Sequence, residues 1–281
     1  MDYKNINVCG NTVILTGVQN FGMNDTLDCG QSFRWEKIAD NKYEGIAFSR
    51  HLVVEMEKDK LMLHGSSLDD FNNIWCAYFD FDRDYGQLKK ELSKDPVLAK
   101  AVKFAGGIRV LRQDSWEALC TFILSQNNNI PRIKGLVKRL CENFGEEIEG
   151  GFTFPEAKKL TGLTAEDLAP VRAGFRAKYI LDAAEKVASG SINMSAVCEL
   201  PVDEARAELM KILGVGPKVA DCALLFGFNR IECMPADVWI KRALELFYPC
   251  GFPAEYMPVA GLAQQYLYHY VRSCEDAMNR E

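Results

Sequence analysis

Leu213-Gly214-Val215-Gly216-Pro217-Lys218 is the stretch that decides the reading of this chain, together with Met234-Pro235-Ala236-Asp237, whose aspartate lies nineteen residues beyond the lysine. Glycines alternating with apolar residues between two helical patterns make a turn that presents unshielded N–H groups of Gly214 and Gly216 to an anion, while Leu213 and Val215 pack inward. Pro217 suits the first position of the second helix, where its missing N–H is not needed, and this sets Lys218 in the first helical turn. The pattern is a helix-hairpin-helix phosphate grip. The positive end of the helix and partial burial both disfavour an ammonium, so a lowered Lys218 pKa and a nucleophilic amine are expected. Asp237 precedes Val238-Trp239-Ile240-Lys241-Arg242-Ala243-Leu244 and reads as the N-cap of that helix. An ionised carboxylate there could also stabilise positive charge developing at an anomeric carbon.

A chain of 281 residues with 48% hydrophobic content can bury a substantial core. The start, Met1-Asp2-Tyr3-Lys4-Asn5-Ile6-Asn7-Val8-Cys9, has no apolar signal core, and no uncharged apolar run approaches the roughly 18 residues of a membrane span. With the compact length and the absence of a basic localisation tract, these features favour a prokaryotic cytoplasmic protein, expected to be a monomer and to be nucleoid-associated if DNA is its partner. The ten cysteines include no Cys-x-x-Cys pair, and Cys222, Cys233, Cys250 and Cys274 are too widely spaced for an iron-sulfur loop. The three histidines have no metal-ligand spacing. A net charge of -6 speaks against nucleic acid. Against it stand two local basic runs, Arg132, Lys134, Lys138 and Arg139, then Arg172, Arg176 and Lys178. A basic strip on an acidic body implies modest non-specific affinity with a shallow salt dependence.

From about residue 6 to 65 the pattern favours strands: Thr12 to Thr16, Tyr43 to Phe48, and His51 to Met56 turning at Lys58-Asp59-Lys60 into Leu61 to Leu63. Helical periodicity begins near Leu68, with Phe71, Ile74, Trp75 and Tyr78, and a short helix runs around Val97 to Phe104. Gly106-Gly107 marks a junction before a capping signal at Asp114-Ser115-Trp116-Glu117, and the remainder reads as almost entirely helical. The expected class is α+β, with an antiparallel-sheet domain over 1-106 and a larger helical domain over 107-281 that carries the hairpin at 212-217.

Gly-Val-Gly-Pro-Lys-Val-Ala-Asp-Cys with the later Pro-Ala-Asp resembles the helix-hairpin-helix (HhH-GPD) DNA glycosylase superfamily, and specifically its lysine-bearing 8-oxoguanine DNA glycosylase/lyase branch. Three more segments resemble that branch, in its order: Asp28-Cys29-Gly30-Gln31-Ser32-Phe33-Arg34-Trp35, Ser125-Gln126-Asn127-Asn128-Asn129-Ile130-Pro131-Arg132-Ile133, and Gly174-Phe175-Arg176-Ala177-Lys178-Tyr179. The resemblance implies a sheet domain similar to the TATA-binding-protein fold, and double-stranded DNA containing 8-oxoguanine as partner. The implied reaction is base release assisted by Asp237, attack by Lys218 to give a Schiff base, and β-elimination.

The same resemblance implies roles for single residues. Asn127 and Phe175 wedge the duplex, and Arg132 and Arg176 donate to an unpaired cytosine. The Gly30 carbonyl reads the N7 proton that distinguishes 8-oxoguanine from guanine. Cys222 and Tyr268 sandwich the base, Gln264 bonds its pairing edge, and Pro235 belongs to the same pocket. Cys222 follows Lys218, and Tyr268 follows Gln264, by the four residues that bring side chains to one helical face. No cofactor is required; a structural cation on the carbonyls of Ile212 and Val215 is implied by the resemblance alone. Taken singly, Phe175 and Tyr268 would also fit a core, and the arginines a solvated surface. Tyr268 departs from the family's phenylalanine, and Trp239 from a phosphate-contacting histidine of eukaryotic members. Pro249 to Pro258 is shorter than the eukaryotic excursion near the base. The alternatives are a monofunctional alkylated-base glycosylase, which needs no lysine, and a non-catalytic helix-hairpin-helix DNA-binding protein.

Overall fold

The computed structural model describes residues 1–273; Cys274 and the last residues of the expected 107-281 region lie outside them. β1 (Asn5–Cys9) and β2 (Thr12–Thr16) form a hairpin followed by a short helix, α1 (Met23–Leu27). Four strands follow: β3 (Trp35–Ala39), β4 (Lys42–Ala47), β5 (Arg50–Glu57) and β6 (Lys60–His64). All pairings are antiparallel, in the order β1-β2-β6-β5-β4-β3. Side chains alternate across a strand, so Val13 and Leu15, Leu52 and Val54, and Leu61 and Leu63 share one fully buried face. Phe71, Trp75, Tyr78, Phe79 and Phe81 cover it. The covering segment bulges through a π-helical turn at Phe71–Trp75, and the indole N–H of Trp35 donates to the Tyr78 hydroxyl at 2.7 Å, so the one polar group of that buried indole is satisfied.

The helical body contains α2 (Tyr85–Leu92), α3 (Pro96–Phe104), α4 (Ser115–Ser125) and α5 (Ile130–Phe144). It continues through α6 (Ala177–Ala188), α7 (Val202–Leu209), α8 (Pro217–Gly227), α9 (Val238–Phe247) and α10 (Ala260–Ser273). Asp114 caps α4 by accepting from the Glu117 N–H at 2.9 Å, as the capping signal implied. A two-stranded ladder, Glu147–Ile148 with Gly151–Phe152, interrupts the region expected to be helical. Although α2 and α3 precede Gly106-Gly107, their Tyr85, Leu92, Leu98 and Val102 pack in the core of the helical body, with α3 against α10. Among the described residues no helix is long and apolar enough to cross a membrane.

Sheet and helices are joined by largely buried polar groups. The Gln31 side chain, 1% exposed, donates to the Thr26 and Arg109 carbonyls at 2.8 and 2.7 Å and accepts from the Leu111 N–H at 2.9 Å. Arg109 is fully buried, pairs with Asp2, donates to the Asp80 carbonyl at 2.7 Å, and lies 4.2 Å from the Tyr85 ring centroid. Across the interface the Lys134 ammonium donates to the Trp35 carbonyl at 2.7 Å. These bonds fix the Asp28–Trp35 segment, and with it Gly30, against the helices. Gln31→Leu would strand the Arg109 carbonyl and the Leu111 N–H, each worth about 1–3 kcal/mol when buried unpaired, and leave the Thr26 carbonyl only the Cys29 thiol as donor. We expect urea unfolding to show a loss of about 2–5 kcal/mol; a loss below about 0.5 kcal/mol would contradict this role.

Candidate active site and DNA-facing surface

The hairpin between α7 and α8 is held from behind by α6. Gly214 has φ +76°, and a Cβ there would lie 2.4 Å from the Tyr179 ring, so both backbone and space require glycine. Asp182 accepts from the Leu213 N–H at 2.6 Å and from the Lys186 ammonium at 2.8 Å, and that ammonium also donates to the Lys211 carbonyl at 2.7 Å. Val215 is buried as expected, but Leu213 is 49% exposed. The expected inward packing of Leu213 is therefore corrected: Ile212 and Val215 fill the core side of the turn, and anchoring of the Leu213 N–H leaves its side chain outside. The Ile212 carbonyl accepts from the Val215 N–H at 3.1 Å. With Lys186 on the neighbouring carbonyl, the turn's acceptors are partly served by the chain itself.

Gly216 is the N-cap of α8, with Pro217 and Lys218 in its first turn. α8 packs on α4 through Phe226 and Phe122, stacked at 5.1 Å and 16°, and the Lys218 ammonium lies 5.3 Å from the Phe122 ring centroid. Asp237 caps α9, accepting from the Ile240 N–H at 2.9 Å. Lys218 and Asp237 thus arrive from the starts of two helices and line one recess of about 60 Å³. Its other walls include every residue expected around the base: Gly30, Cys222, Pro235, Gln264 and Tyr268. Gly30 has φ +89°, and a Cβ there would meet Ile130 Cδ1 at 2.9 Å. The recess shares Gly30, Lys218, Asp237 and Tyr268 with an outer cleft of about 690 Å³, where Asn127, Trp239 and Arg272 stand. A separate cavity of about 350 Å³ between β4 and α5 shares only Phe33 with that cleft and contains neither Lys218 nor Asp237. Phe122, Phe226 and Gln265 also line the recess and carried no signal in the sequence that separates them from ordinary core.

The electrostatics of Lys218 run opposite to expectation. Burial disfavours its ammonium, but the neighbouring Cys222, Asp237 and Tyr268 favour it, and the balance lies above the ordinary lysine value. Burial also pushes the Cys222 thiol up, against the pull of Lys218. The expected lowering of the Lys218 pKa is thereby corrected: the helix terminus and desolvation are outweighed by acidic groups crowded around one amine.

Of the residues expected to face DNA, Asn127 lines the outer cleft in a left-handed backbone conformation, φ +50°. Arg132 lies in the first turn of α5, its N–H bonded to the Asn129 side chain at 3.0 Å. Phe175 is 49% exposed, with the Arg176 guanidinium 4.3 Å from its ring centroid. Arg176 itself is 4% exposed. It donates through Nε to the Gln126 carbonyl at 2.7 Å, through Nη2 to the Gln126 and Asn127 carbonyls, and through Nη1 to the Ala173 carbonyl at 3.3 Å. Without DNA the Arg176 donors are taken up by the chain: the turn at Asn127 leaves carbonyls without helical partners, and Arg176 satisfies them. Burial first, and then the charge of Arg132, lower the Arg176 pKa.

A hairpin grip, a lysine and an aspartate meeting at the back of an aromatic cleft are the parts of a helix-hairpin-helix glycosylase. Residues 13–119 match the family described as 8-oxoguanine DNA glycosylase, N-terminal domain, and residues 120–259 match the HhH-GPD superfamily base excision DNA repair protein. The N-glycosylase/DNA lyase of Saccharomyces cerevisiae is 31% identical over 80% of this chain and 67% of its own length. The 8-oxoguanine glycosylase/lyase of Clostridium acetobutylicum, solved with double-stranded DNA containing cytosine opposite 8-oxoG, is 38% identical with a TM-score of 0.92, covering 98% of this chain and 100% of that one. MBOgg1, solved with a low-affinity DNA ligand, is 46% identical with a TM-score of 0.92, again over 98% and 100% of the two chains. The chain belongs to the 8-oxoguanine DNA glycosylase/lyase family of the HhH-GPD superfamily.

With the Lys218 pKa raised, the free amine becomes more abundant as pH rises toward that pKa, so borohydride trapping at a pre-formed abasic site should accelerate about tenfold per pH unit where deprotonation limits it. Cys222→Ala removes one group that raises the pKa and leaves the desolvation that lowers it. The rising limb should therefore move to lower pH; a limb that stays in place or moves to higher pH would refute the assigned balance.

Proposed function

We propose that this protein extrudes 8-oxoguanine from duplex DNA, excises it through Lys218, and cleaves the resulting strand by β-elimination. The observation that carries the reading is the meeting of Lys218 and Asp237 in one recess bounded by Cys222 and Tyr268. A duplex backbone would rest on the free amides of the hairpin at Gly214 and Gly216. Asn127 and Phe175 would fill the gap left by the base, Arg132 would hold the orphaned cytosine, and Arg176 would brace the wedging loop, with any contact to cytosine requiring release of a carbonyl. The Gly30 carbonyl would accept from the N7 proton of 8-oxoguanine, whereas guanine would set two acceptors face to face at a cost of about 1–3 kcal/mol.

In the reaction the glycosidic C–N bond breaks with its electron pair going to the base, and Asp237 stabilises the positive charge left on the sugar. The departing base needs a proton and the Lys218 ammonium holds one, so a single transfer neutralises the leaving group and frees the amine. The amine then bonds the anomeric carbon, and ring opening gives an iminium. Loss of the adjacent sugar proton expels the 3′-phosphate. No cofactor enters these steps. A structural cation on the Ile212 and Val215 carbonyls would share the turn with the Lys186 ammonium; an effect of chelation on DNA affinity is the observation that would place it there.

A duplex with one 8-oxoguanine opposite cytosine should be excised and cut by the wild type, while Lys218→Gln should bind it without forming a borohydride-stable adduct. Strand cleavage undiminished in Lys218→Gln would overturn the mechanism. Asparagine caps helices about as well as aspartate, so Asp237→Asn should change stability by no more than about 0.5 kcal/mol. It should nevertheless slow excision by roughly 100-fold or more, the scale of losing one preorganised electrostatic group. A parallel loss of stability and rate would reduce Asp237 to a cap.

A further inference from the structure

Two consecutive glutamines of α10, Gln264 and Gln265, are 4% and 5% exposed, and both line the recess. Successive side chains on a helix are separated by about 100°, so both reach one recess only at its corner. Their amides are joined: Gln265 Nε2 donates to Gln264 Oε1 at 2.7 Å. Among the described residues this is the one hydrogen bond either side-chain amide makes. Buried amides are ordinarily satisfied, and here the Gln264 NH₂ and the Gln265 carbonyl oxygen remain for whatever enters.

The bond also sets which way Gln264 points. With its oxygen turned to the Gln265 NH₂, the pair leaves available a donor at Gln264 Nε2, an acceptor at the second lone pair of Gln264 Oε1, and an acceptor at Gln265 Oε1. A guanine-type pairing edge offers an acceptor at O6, a donor at N1–H and a donor at the 2-amino group. The pair's one donor and two acceptors match that edge's one acceptor and two donors. An adenine-type edge, with a donor at position 6 and an acceptor at N1, would bring a donor to the Gln264 NH₂ and an acceptor to its oxygen.

Resting on the function proposed above, we propose that Gln265 is a specificity-determining residue: it fixes the Gln264 amide in the guanine-reading orientation and accepts from the 2-amino group of the extruded base. Single-turnover excision is to be measured on duplexes carrying 8-oxoguanine or 8-oxohypoxanthine, which lacks only the 2-amino group, each opposite cytosine. The wild type should favour 8-oxoguanine by about tenfold, the scale of one buried hydrogen bond. Gln265→Met, similar in size but with neither donor nor acceptor of use, should bring the ratio to about twofold or less. Gln265→Glu carries only acceptors when ionised and would turn the Gln264 NH₂ toward itself, so it should slow 8-oxoguanine excision more than Gln265→Met does. A ratio in Gln265→Met equal to that of the wild type, or faster 8-oxoguanine excision by Gln265→Glu than by Gln265→Met, would overturn the proposal. Borohydride trapping at a pre-formed abasic site, where no base is present to be read, separates packing from recognition. If trapping falls in step with excision, Gln265 is a packing residue and the proposal fails. Failure of the wild type to release 8-oxoguanine would instead count against the proposed function itself.

Discussion

Everything at the site depends on α8 being unable to move. Its first turn carries Lys218, and a half-buried amine beside Cys222 is useful only where its position is fixed by groups that do not relax. The body of α8 is held by stacking of Phe226 on Phe122 at 5.1 Å. Its entry is held by the hairpin, where the Tyr179 ring fills the space a Gly214 side chain would need and Asp182 grips the Leu213 N–H at 2.6 Å. Preorganised charge acts strongly in such a setting because nothing must rearrange as the reaction charge develops.

The opposite wall comes from the sheet domain, and here the decisive interactions are polar. The Gln31 amide binds the chain around Gly30, through the Arg109 carbonyl and the Leu111 N–H, to the segment that leads into α4, and the Arg109 guanidinium ties that segment to Asp2 and the Asp80 carbonyl. Gly30 therefore faces Lys218 across a gap whose width is set by buried hydrogen bonds, which hold geometry more sharply than apolar contact does. The net charge of -6 is compatible with a DNA partner because the attractive elements are local: hairpin amides, the start of α5 and the neighbouring arginines.

The hairpin, the Asp237 cap and the buried strands were legible in the sequence because each has a local physical signature: glycine alternation closed by proline, a capping residue, and period-two burial. β1 and β3 were not individually legible because they are edge strands with mostly exposed side chains, so no alternation marks them, and the Glu147–Ile148 ladder is too short to have a period. The pocket residues Gly30, Cys222, Gln264 and Tyr268 were reached through the family resemblance together with helical spacing. Phe122 and Gln265 were not, because a buried aromatic on α4 and a second glutamine on α10 look like core and surface respectively until the pocket is seen. The sign of the Lys218 shift and the inward bonding of Arg176 escaped for a related reason. Both are set by residues distant in sequence, Asp237 and Tyr268 in one case and Gln126 in the other, and neither partner leaves a local trace.

The central claim is that one amine, Lys218, bonds the sugar. The most direct measurement is peptide mapping by mass spectrometry of the borohydride-reduced complex formed with an 8-oxoguanine duplex. The deoxyribose remnant is expected on the peptide containing Lys218 and nowhere else. A remnant on Lys241, whose side chain also lines the outer cleft, or on any other amine would contradict it.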